Sequence, residues 1–477
     1  MKLVPSLLGA AIAAASPLAG AATFTVTTLN DSGAGSLRDA IGQANAAAGA
    51  DVVQFQAGLT GTIALTGGEI RISDTLDLSG PGANRITVDG GNASRLFKVR
   101  RASGSPITAT IAGLTLTHGH ADEGGAIFSN GDHVVVSGSV LTDNIANTRG
   151  GALWVAEANL TVNGSQITGN ETGSSGGGIL FSAGDLSIQK SLIADNASQF
   201  GGGISAQSPR VNAVIADSVI MNNSADHTGG GMWGSTMSSL KISRSAFVGN
   251  TTGEPNGGGL YFAGVTDFGS PTNVIENTTF SDNASLHQFG KGGALAIASG
   301  NMTVRNSTFA FNKTSPNTAP GSNSGGALWV GGGTTTEVTL QSTLFAGNTH
   351  GNQNQLFDVY RETGSGPEST IDADHSSFQT SPGATVLNGT SQSNLFAVDP
   401  LLEPLAFDAG GITPVHALPV ESPVIDRGSN PANLPTEQRG TGYPRAWSEP
   451  NNSNGIADIG AYEYRSDFIF RGDFEEL

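Results

Sequence analysis

The chain has 477 residues, a formal net charge of −18, 68 glycines and no cysteine. The absence of cysteine excludes disulfides, zinc–thiolate sites and thiol catalysis, and the acidic balance argues against nucleic acid as a partner, because phosphate binding needs clustered Lys and Arg. Abundant glycine without a Gly-X-Y period indicates many tight turns rather than a collagen-like chain.

The N-terminus has the pattern of a secretory signal peptide. Lys2 precedes a largely apolar stretch over residues 3–15, and Ala19-Gly20-Ala21 forms a small-x-small cleavage site. We therefore expect residues 1–22 to be removed and the mature chain to be exported, either into the extracellular space or to the outer-membrane surface. No later stretch reaches the roughly 18 apolar residues that span a bilayer, so no transmembrane span is expected in the mature chain.

The next part of the chain, residues 23–95, is predicted to form an N-terminal cap and the first strands. Within it, residues 36–48 are expected to form a short amphipathic helix that plugs the first open turn. A solenoid needs such a cap to shield the end of its core and to block pairing at the exposed strand edge.

Residues 96–350 are assigned to repeats, because a Gly-Gly-small-aliphatic motif recurs eight times between residues 124 and 329. Its aliphatic residues are spaced by 26, 26, 25, 28, 28, 35 and 33 residues. A near-constant period of this length is typical of a solenoid, in which each unit buries its apolar face against its neighbours. The aliphatic residues are Ile127, Leu153, Ile179, Ile204, Met232, Leu260, Leu295 and Leu328.

A Ser/Thr-x-hydrophobic-x-x-Asn box follows each motif. Apolar residues also precede the Ser or Thr by three positions and mostly by five, and this spacing of two is that of a β-strand. Each unit is therefore predicted to contain three short strands that stack in register into a right-handed parallel β-helix. The asparagines that end the boxes are expected to form a ladder of side-chain amides. They are Asn144, Asn170, Asn196, Asn223, Asn250, Asn283, Asn312 and Asn348.

Two groups of polar residues have both a structural and a catalytic or metal-binding interpretation. Lys190, Asp217 and Arg244 occupy the same position in successive turns, which indicates an exposed ladder of alternating charges or, alternatively, a catalytic base. His118 and His120 are expected on one face of a strand, where they would bridge a metal with nearby carboxylates or simply form a polar surface loop. No metal is assigned to the chain, and Ca²⁺ stays open as a cofactor.

The chain resembles three groups of exported bacterial proteins. Its repeat resembles that of the polymorphic outer-membrane proteins, with their GGA-I/L motif and F-x-x-N box. Residues 29–41 resemble the CSLREA segment, although the cysteine is missing and Asp39 replaces the glutamate. Residues 422–428, 437–440 and 458–463 resemble the closing region of choice-of-anchor Q proteins. These resemblances imply a β-helix architecture and export, and they imply no single activity.

The C-terminal third is divided by its composition and by that last resemblance. Residues 351–400 are expected to form irregular last turns, residues 401–464 a C-terminal cap, and residues 465–477 a tail. In the cap, Asp426, Arg439, Asp458 and Glu463 are expected to pair. The predicted fold class is thus all-β: a right-handed parallel β-helix, or pectin-lyase-like solenoid, with caps at both ends.

The strongest functional indication is the residue that follows each Gly-Gly-small-aliphatic motif. This residue is expected to point outward, because the aliphatic residue before it points inward. Exposed aromatic side chains on one face indicate a binding surface, and flat rings stack on sugars. The alternatives are that a loop or the cap covers them, or that a reversed strand phase places them in the core. The aromatic members are Phe128, Trp154, Trp233, Tyr261 and Trp329.

The sequence favours an adhesin-like or glycan-binding protein at or beyond the bacterial surface. Its expected partner is an extracellular or cell-surface polysaccharide, or the surface of a host or neighbouring cell. The alternative is a polysaccharide lyase or glycoside hydrolase that works in the same lateral groove, with Arg244, Arg305 or Arg361 as candidate bases. No catalytic residue is assigned. A purely structural stalk fits the repeats but leaves the aromatic residues unexplained.

Overall fold

The computed structural model describes residues 20–265, 273–315, 325–331, 336–351, 355–362, 368–380, 387–390, 393–408, 411–446 and 456–465. Most of the predicted signal peptide (residues 1–19), nearly all of the tail (466–477) and parts of the loops 264–272 and 314–324 lie outside these residues. The described strands form four sheets, which we number 1 to 4 in the order in which the chain visits them after each Gly-Gly motif. Each full turn adds one strand to each sheet, so the chain winds into a parallel β-helix.

Sheet 1 contains the strands that follow the Gly-Gly motifs. Its pairs are parallel and in register, with Ile127 opposite Leu153 and Leu153 opposite Ile179, and these side chains are fully buried. The predicted inward column of aliphatic residues is therefore confirmed. The strands are Ile70–Ile72, Phe97–Val99, Ile127–Asn130, Leu153–Ala156, Ile179–Ser182, Ile204–Gln207, Met232–Met237, Leu260–Gly264, Leu295–Ser299, Leu328–Val330 and Val359–Arg361.

Sheet 2 contains the strands that precede the boxes, and its alternate side chains fill the core as predicted. Val134 and Val136 are fully buried, and they lie opposite Leu160 and Val162 of the next turn. The strands are Thr23–Val26, Asp51–Phe55, Leu76–Ser79, Thr108–Ala112, His133–Ser137, Leu160–Asn163, Gly184–Gln189, Val211–Ala216, Ser239–Ser243, Val274–Glu276, Met302–Arg305, Glu337–Gln341, Thr370–Asp374 and Gly389–Thr390.

Sheet 3 carries the hydrophobic residue of each box. In its last turns this residue is phenylalanine, and the buried rings of Phe247, Phe280, Phe309, Phe345 and Phe378 stack with centroids 4.8–5.1 Å apart. The strands are Gly61–Ala64, Ile86–Asp89, Thr115–Thr117, Val140–Thr142, Gln166–Thr168, Leu192–Ala194, Val219–Met221, Ala246–Val248, Thr279–Ser281, Thr308–Ala310, Leu344–Ala346, Ser377–Phe378 and Leu395–Phe396.

Sheet 4 corrects the prediction of three strands per turn. A fourth strand of two to five residues follows each box asparagine, and pieces such as Glu171–Thr172 are too short to show a period of two. The strands are His120–Glu123, Ile145–Arg149, Glu171–Thr172, Ala197–Phe200, Ser224–Thr228, Thr251–Thr252, Ala284–Ser285, Lys313–Thr314, Thr349–His350 and Gln355–Leu356, of which the last pairs antiparallel.

The two glycines of the motif serve different purposes at the corner between sheets 4 and 1. The first adopts a left-handed conformation, with φ of 63° at Gly150, which glycine adopts without strain. The second has no room for a side chain, because a Cβ on Gly151 would lie 2.1 Å from the carbonyl oxygen of Gly177 in the next turn. The motif therefore lets consecutive turns approach closely at this corner.

The asparagine ladder is present between sheets 3 and 4. Each buried side chain from Asn144 to Asn312 donates its Nδ2 hydrogen to Oδ1 of the next asparagine at 2.9–3.0 Å. Asn348 ends the ladder on the carboxylate of Asp358, 3.0 Å away. The Ser of the box forms a second ladder that the sequence did not predict: from Ser139 to Ser218, each backbone N–H donates to the next turn's hydroxyl at 3.2 Å.

The predicted N-terminal helix is present as Leu37–Ala46. The hydroxyl of Ser36 caps it by accepting a hydrogen bond from the N–H of Asp39 at 3.1 Å. Its buried face, which includes Leu37 and Ile41, joins the core formed by the first strands. The helix thus supplies apolar cover to the first turns. No helix in the described part of the chain is long and apolar enough to cross a membrane.

The described residues after 410 pack along the outward side of sheet 3. Gln438 accepts from the Thr279 hydroxyl at 2.7 Å, and the N–H of Ala461 donates to the Thr308 hydroxyl at 2.9 Å. Further along, the N–H of Gly460 donates to the carbonyl of Ser342 at 2.9 Å. This C-terminal segment therefore lies along the flank of three consecutive turns, while its predicted role as an end cap stays a prediction.

A buried charge network holds the C-terminal segment together. Arg439 lies between the rings of Tyr443 and Tyr462, 4.1 and 4.0 Å from their centroids, and pairs with Glu437 at 2.6 Å. The side chain of Glu463 pairs with the fully buried Arg445 instead of Arg439. The four residues that were expected to pair meet partly through the backbone: Arg439 donates to the Glu463 carbonyl at 2.8 Å, and the N–H of Asp426 donates to the Asp458 carboxylate at 2.8 Å.

We predict that Asn223→Ala destabilises the protein by about 3–5 kcal/mol. The substitution removes the acceptor of the backbone N–H and of one amide hydrogen of Asn196, and it removes the Asn223 donor from the carbonyl of Ile193, at about 1–3 kcal/mol for each lost bond in the core. Chemical denaturation measures the change. The matched control is Asn212→Ala on the exposed side of sheet 2, which should change stability by about 0.5 kcal/mol or less. Equal effects from the two variants would contradict the ladder's contribution.

We also predict that the C-terminal segment loses stability as the pH rises from 7 to 9. Burial and the neighbouring Glu463 carboxylate raise the pKa of Asp458 from 3.8 to about 8. A group whose pKa is raised on folding holds its proton more tightly in the folded state, so stability falls until the pH passes the folded pKa. Burial lowers the pKa of His416, so this group makes stability rise with pH. It does so only below its ordinary pKa of 6.5, which is outside the range from 7 to 9.

Thermal unfolding of the wild type and of Asp458→Asn at several pH values tests this expectation. The midpoint of the wild type should fall by a few degrees over this range. The variant has no proton to lose at residue 458, so its midpoint should fall less. A variant with the same pH slope as the wild type would show that Asp458 does not titrate in this range.

Candidate functional site

The outward side of sheet 1 carries a continuous column of side chains, one from each turn. Adjacent members lie opposite one another in the parallel pairing, so they stand about 4.8 Å apart along the helix axis. The predicted column is confirmed as outward-facing and extends beyond the prediction at both ends. Its members in order are Arg71, Lys98, Phe128, Trp154, Leu180, Ser205, Trp233, Tyr261, Ala296, Trp329 and Tyr360.

The predicted aromatic residues of this column differ in their exposure to solvent. Phe128, Trp154, Trp233 and Tyr261 are partly exposed. Trp329 is only 5% exposed. The alternative that something covers the aromatic column is thus correct for Trp329, while four rings stay accessible to a ligand.

The first accessible group is the pair Phe128 and Trp154. Their ring centroids are 4.6 Å apart with an angle of 44° between the planes. The guanidinium of Arg95 lies 4.8 Å from the Phe128 centroid and is held by the carbonyl of Glu123 and the carboxylate of Glu69. The cation therefore fixes the orientation of the ring.

The second accessible group surrounds Trp233. Phe200, at the end of a sheet 4 strand, lies 4.8 Å from Trp233 and 5.0 Å from His227 between ring centroids. Tyr261 follows Trp233 in the column, and burial raises the pKa of its hydroxyl. Phe200 and His227 were missed in the sequence because they precede the Gly-Gly motif and belong to the sheet that was not predicted.

Trp329 is covered by neighbouring turns. The ammonium of Lys291 lies 4.4 Å from its ring centroid and 3.7 Å from a carboxylate oxygen of Glu362. A Cβ on Gly331 would lie 2.4 Å from the Trp329 ring, so the chain passes close to the ring's edge. We therefore assign Trp329 to packing and leave it out of the accessible face.

A second outward column runs beside the aromatic one, two residues further along each strand. It consists mainly of short side chains, so the aromatic rings are flanked by a shallow shelf. At the N-terminal end the shelf opens into a cleft of about 480 Å³ that Phe128 lines together with Arg100, Arg101 and Glu157. The members of the second column are Asn130, Ala156, Ser182, Gln207, Ser235 and Ala263.

The two histidines that were considered as metal ligands lie in different local structures. His118 is a turn residue with φ of 51°, and its Nδ1 lies 3.1 Å from Asp89. His120 begins a strand of sheet 4 and contacts Asn147 at 3.1 Å. The prediction that both lie on one strand face is wrong. Throughout the described residues, no three His, Asp or Glu side chains come together in a group that would hold a metal ion.

Two of the three candidate bases lie away from the aromatic face. Arg244 forms two hydrogen bonds with Asp217, at 2.6 and 2.8 Å, at the corner between sheets 2 and 3. Arg305, at the end of a sheet 2 strand, pairs with Glu276 at 2.6 Å. Arg361 follows Tyr360 in sheet 1 and donates to the carbonyl of Ser369 at 2.7 Å. The first two side chains thus stabilise corners and strands, which supports the structural interpretation of the charge ladder.

Comparison with known proteins agrees with this architecture. Residues 100–266, about a third of the chain, match the family model of the right handed beta helix region. Together with the in-register sheets, this match makes the solenoid a right-handed parallel β-helix, a fold consistent with pectin-lyase-like proteins. No curated protein matches the chain.

The two environments of the tryptophans predict different effects of truncation. Trp329→Ala should destabilise the protein by about 3 kcal/mol, because it leaves a cavity beneath Lys291. Trp233→Ala removes a ring that is partly in water and should cost about 1 kcal/mol. Chemical denaturation of both variants measures the difference. A larger loss for Trp233→Ala would show that the accessible rings are core residues.

Proposed function

We propose that the protein binds a polysaccharide along the outward face of sheet 1, and that it does so as an exported protein at or beyond the bacterial surface. The observation that carries the proposal is the column in which Phe128, Trp154, Trp233 and Tyr261 are partly exposed and in register. These four rings are not part of the hydrophobic core, which lies on the other side of the strands.

The geometry suits a linear ligand that lies parallel to the helix axis. Trp154 and Trp233 are separated by three strand spacings, or about 14 Å. Between the two aromatic groups the column continues with Leu180 and Ser205, which are buried, and Gln207 donates to the Ser205 hydroxyl at 2.7 Å. A chain that covers both groups would therefore meet the Gln207 side chain in this interval. A flat ring offers its face to the apolar side of a sugar, while the short polar side chains beside it offer hydrogen bonds.

Export and surface location belong to the same proposal. They are supported by the signal-like N-terminus and by the resemblance of the repeats and end segments to bacterial surface proteins. The adhesin-like role follows if the polysaccharide belongs to a cell surface. A lyase or hydrolase is not proposed, because Arg244 and Arg305 are engaged in ion pairs away from this face. The third candidate base, Arg361, is engaged with the backbone carbonyl of Ser369.

Glycan binding is tested with the purified protein and a panel of neutral and acidic polysaccharides, with bound polymer and newly formed chain ends measured in the same wells. The variant combines Trp154→Ala, Trp233→Ala and Tyr261→Ala. It should bind about thirtyfold more weakly or worse, since the loss of even one ring that contributes about 2 kcal/mol lowers the affinity by this factor.

The matched control is Phe407→Ala, which removes a ring that is 66% exposed and lies outside sheet 1. This control should bind like the wild type, and both proteins should keep their fold by circular dichroism. Binding that survives in the triple variant would contradict the proposal. New chain ends that appear catalytically would replace it with the enzyme alternative.

A further inference from the structure

We infer that the N-terminal end of the aromatic column is a subsite for an anionic sugar, one that carries a carboxylate or a sulfate ester. The inference rests on the proposed glycan-binding function of sheet 1 and adds the chemical class of the ligand. It is carried by a local surplus of positive charge beside the Phe128–Trp154 pair, in a chain whose net charge is −18.

Positive side chains concentrate on the turns that precede Phe128. Arg71 and Lys98 occupy the two positions of the outward column before it. Arg100 and Arg101 follow the Lys98 strand and line the cleft beside Phe128, and Arg95 packs over the ring. Five cations thus surround one end of the aromatic face, which otherwise carries few charges.

The carboxylates near this end do not balance these cations. Glu69 is shared by Arg95 and Lys98. Asp132 is buried and pairs with Arg101 at 2.8 Å, and Glu157, on the rim of the cleft, pairs with Arg210 at 2.6 Å. Glu157 is thus neutralised by Arg210, which is not one of the five cations. The two remaining carboxylates, Glu69 and Asp132, face all five cations.

Arg71 and Arg100 are the cations that remain for a ligand. Both are exposed, and among the described residues neither guanidinium pairs with a carboxylate. Arg71 donates weakly to the backbone carbonyl of Arg100, at 3.3 and 3.4 Å, which places the Arg71 guanidinium beside the backbone of Arg100. A guanidinium matches a carboxylate or sulfate through paired hydrogen bonds, and this geometry is stronger than that of neutral donors.

The described residues further along the face show no surplus of cations, so the preference for an anion is local. Near the second aromatic group His227 lies 3.5 Å from Glu254, and further along Lys291 pairs with Glu362. An acidic polysaccharide would therefore place an anionic residue over the Arg71 and Arg100 end. Its less charged portions would lie over Trp233 and Tyr261.

Calorimetric titration of the full chain with two matched pairs of oligomers tests the inference. Oligogalacturonate and its methyl ester differ in the carboxylate, and dextran sulfate and dextran differ in the sulfate ester. The variant is Arg71→Gln with Arg100→Gln. The matched control is Arg85→Gln with Lys313→Gln, which removes two exposed charges outside sheet 1.

The wild type should bind at least one charged oligomer about tenfold more tightly than its neutral counterpart, with an affinity that falls as salt is added. The Arg71 and Arg100 variant should lose most of this preference and keep its affinity for the neutral oligomer. The control should resemble the wild type. The pair that shows the preference identifies carboxylate or sulfate as the recognised group.

Other outcomes overturn the inference in distinguishable ways. Equal affinity for charged and neutral oligomers, or equal losses in the variant and the control, would refute the anionic subsite while the glycan-binding proposal stands. That proposal would keep its own evidence in the loss of neutral-oligomer binding by the triple aromatic variant. Failure of all four oligomers to bind would overturn both.

Discussion

Each turn of this solenoid has to repeat the path of the turn before it, because the backbone of one Gly-Gly corner occupies the space in which a Cβ of its neighbour would lie. Gly151 and Gly177 show this contact directly. Once consecutive corners approach so closely, the strands that follow them are held in register. The buried aliphatic columns, the phenylalanine stack and the asparagine ladder all depend on that register, since each requires like residues in adjacent turns.

The same register makes the outward face regular. The aliphatic residue that ends each motif points inward, and the residue after it points outward. Aromatic residues at the outward position therefore form a column with a spacing of about 4.8 Å. The strand register set by the core thereby places Phe128 beside Trp154 and Trp233 beside Tyr261. The cations of the earlier turns join the same column, and they give one end of the face a charge opposite to that of the whole chain.

The repeated part of the fold was predictable because its columns recur at fixed positions with a period of two. Sheet 4 was not, since strands such as Glu171–Thr172 are too short to show a period and are placed by the asparagine ladder.

The face was predictable as a column, but the burial of Trp329 depends on Lys291 and Glu362 from other turns. Lys98 escaped prediction because its turn lacks the Gly-Gly motif. The flank position of the C-terminal segment rests on contacts such as Gln438 with Thr279, 159 residues apart, which no local pattern reveals.

The most direct test of the account is hydroxyl-radical footprinting of the protein with and without a saturating polysaccharide ligand. The account predicts that oxidation of Phe128, Trp154, Trp233 and Tyr261 falls when the ligand is bound. Phe407, which is exposed and lies outside sheet 1, serves as an internal reference whose oxidation should stay the same. Protection confined to other surfaces, with the four rings oxidised at their free rates, would contradict the claim that sheet 1 is the binding face.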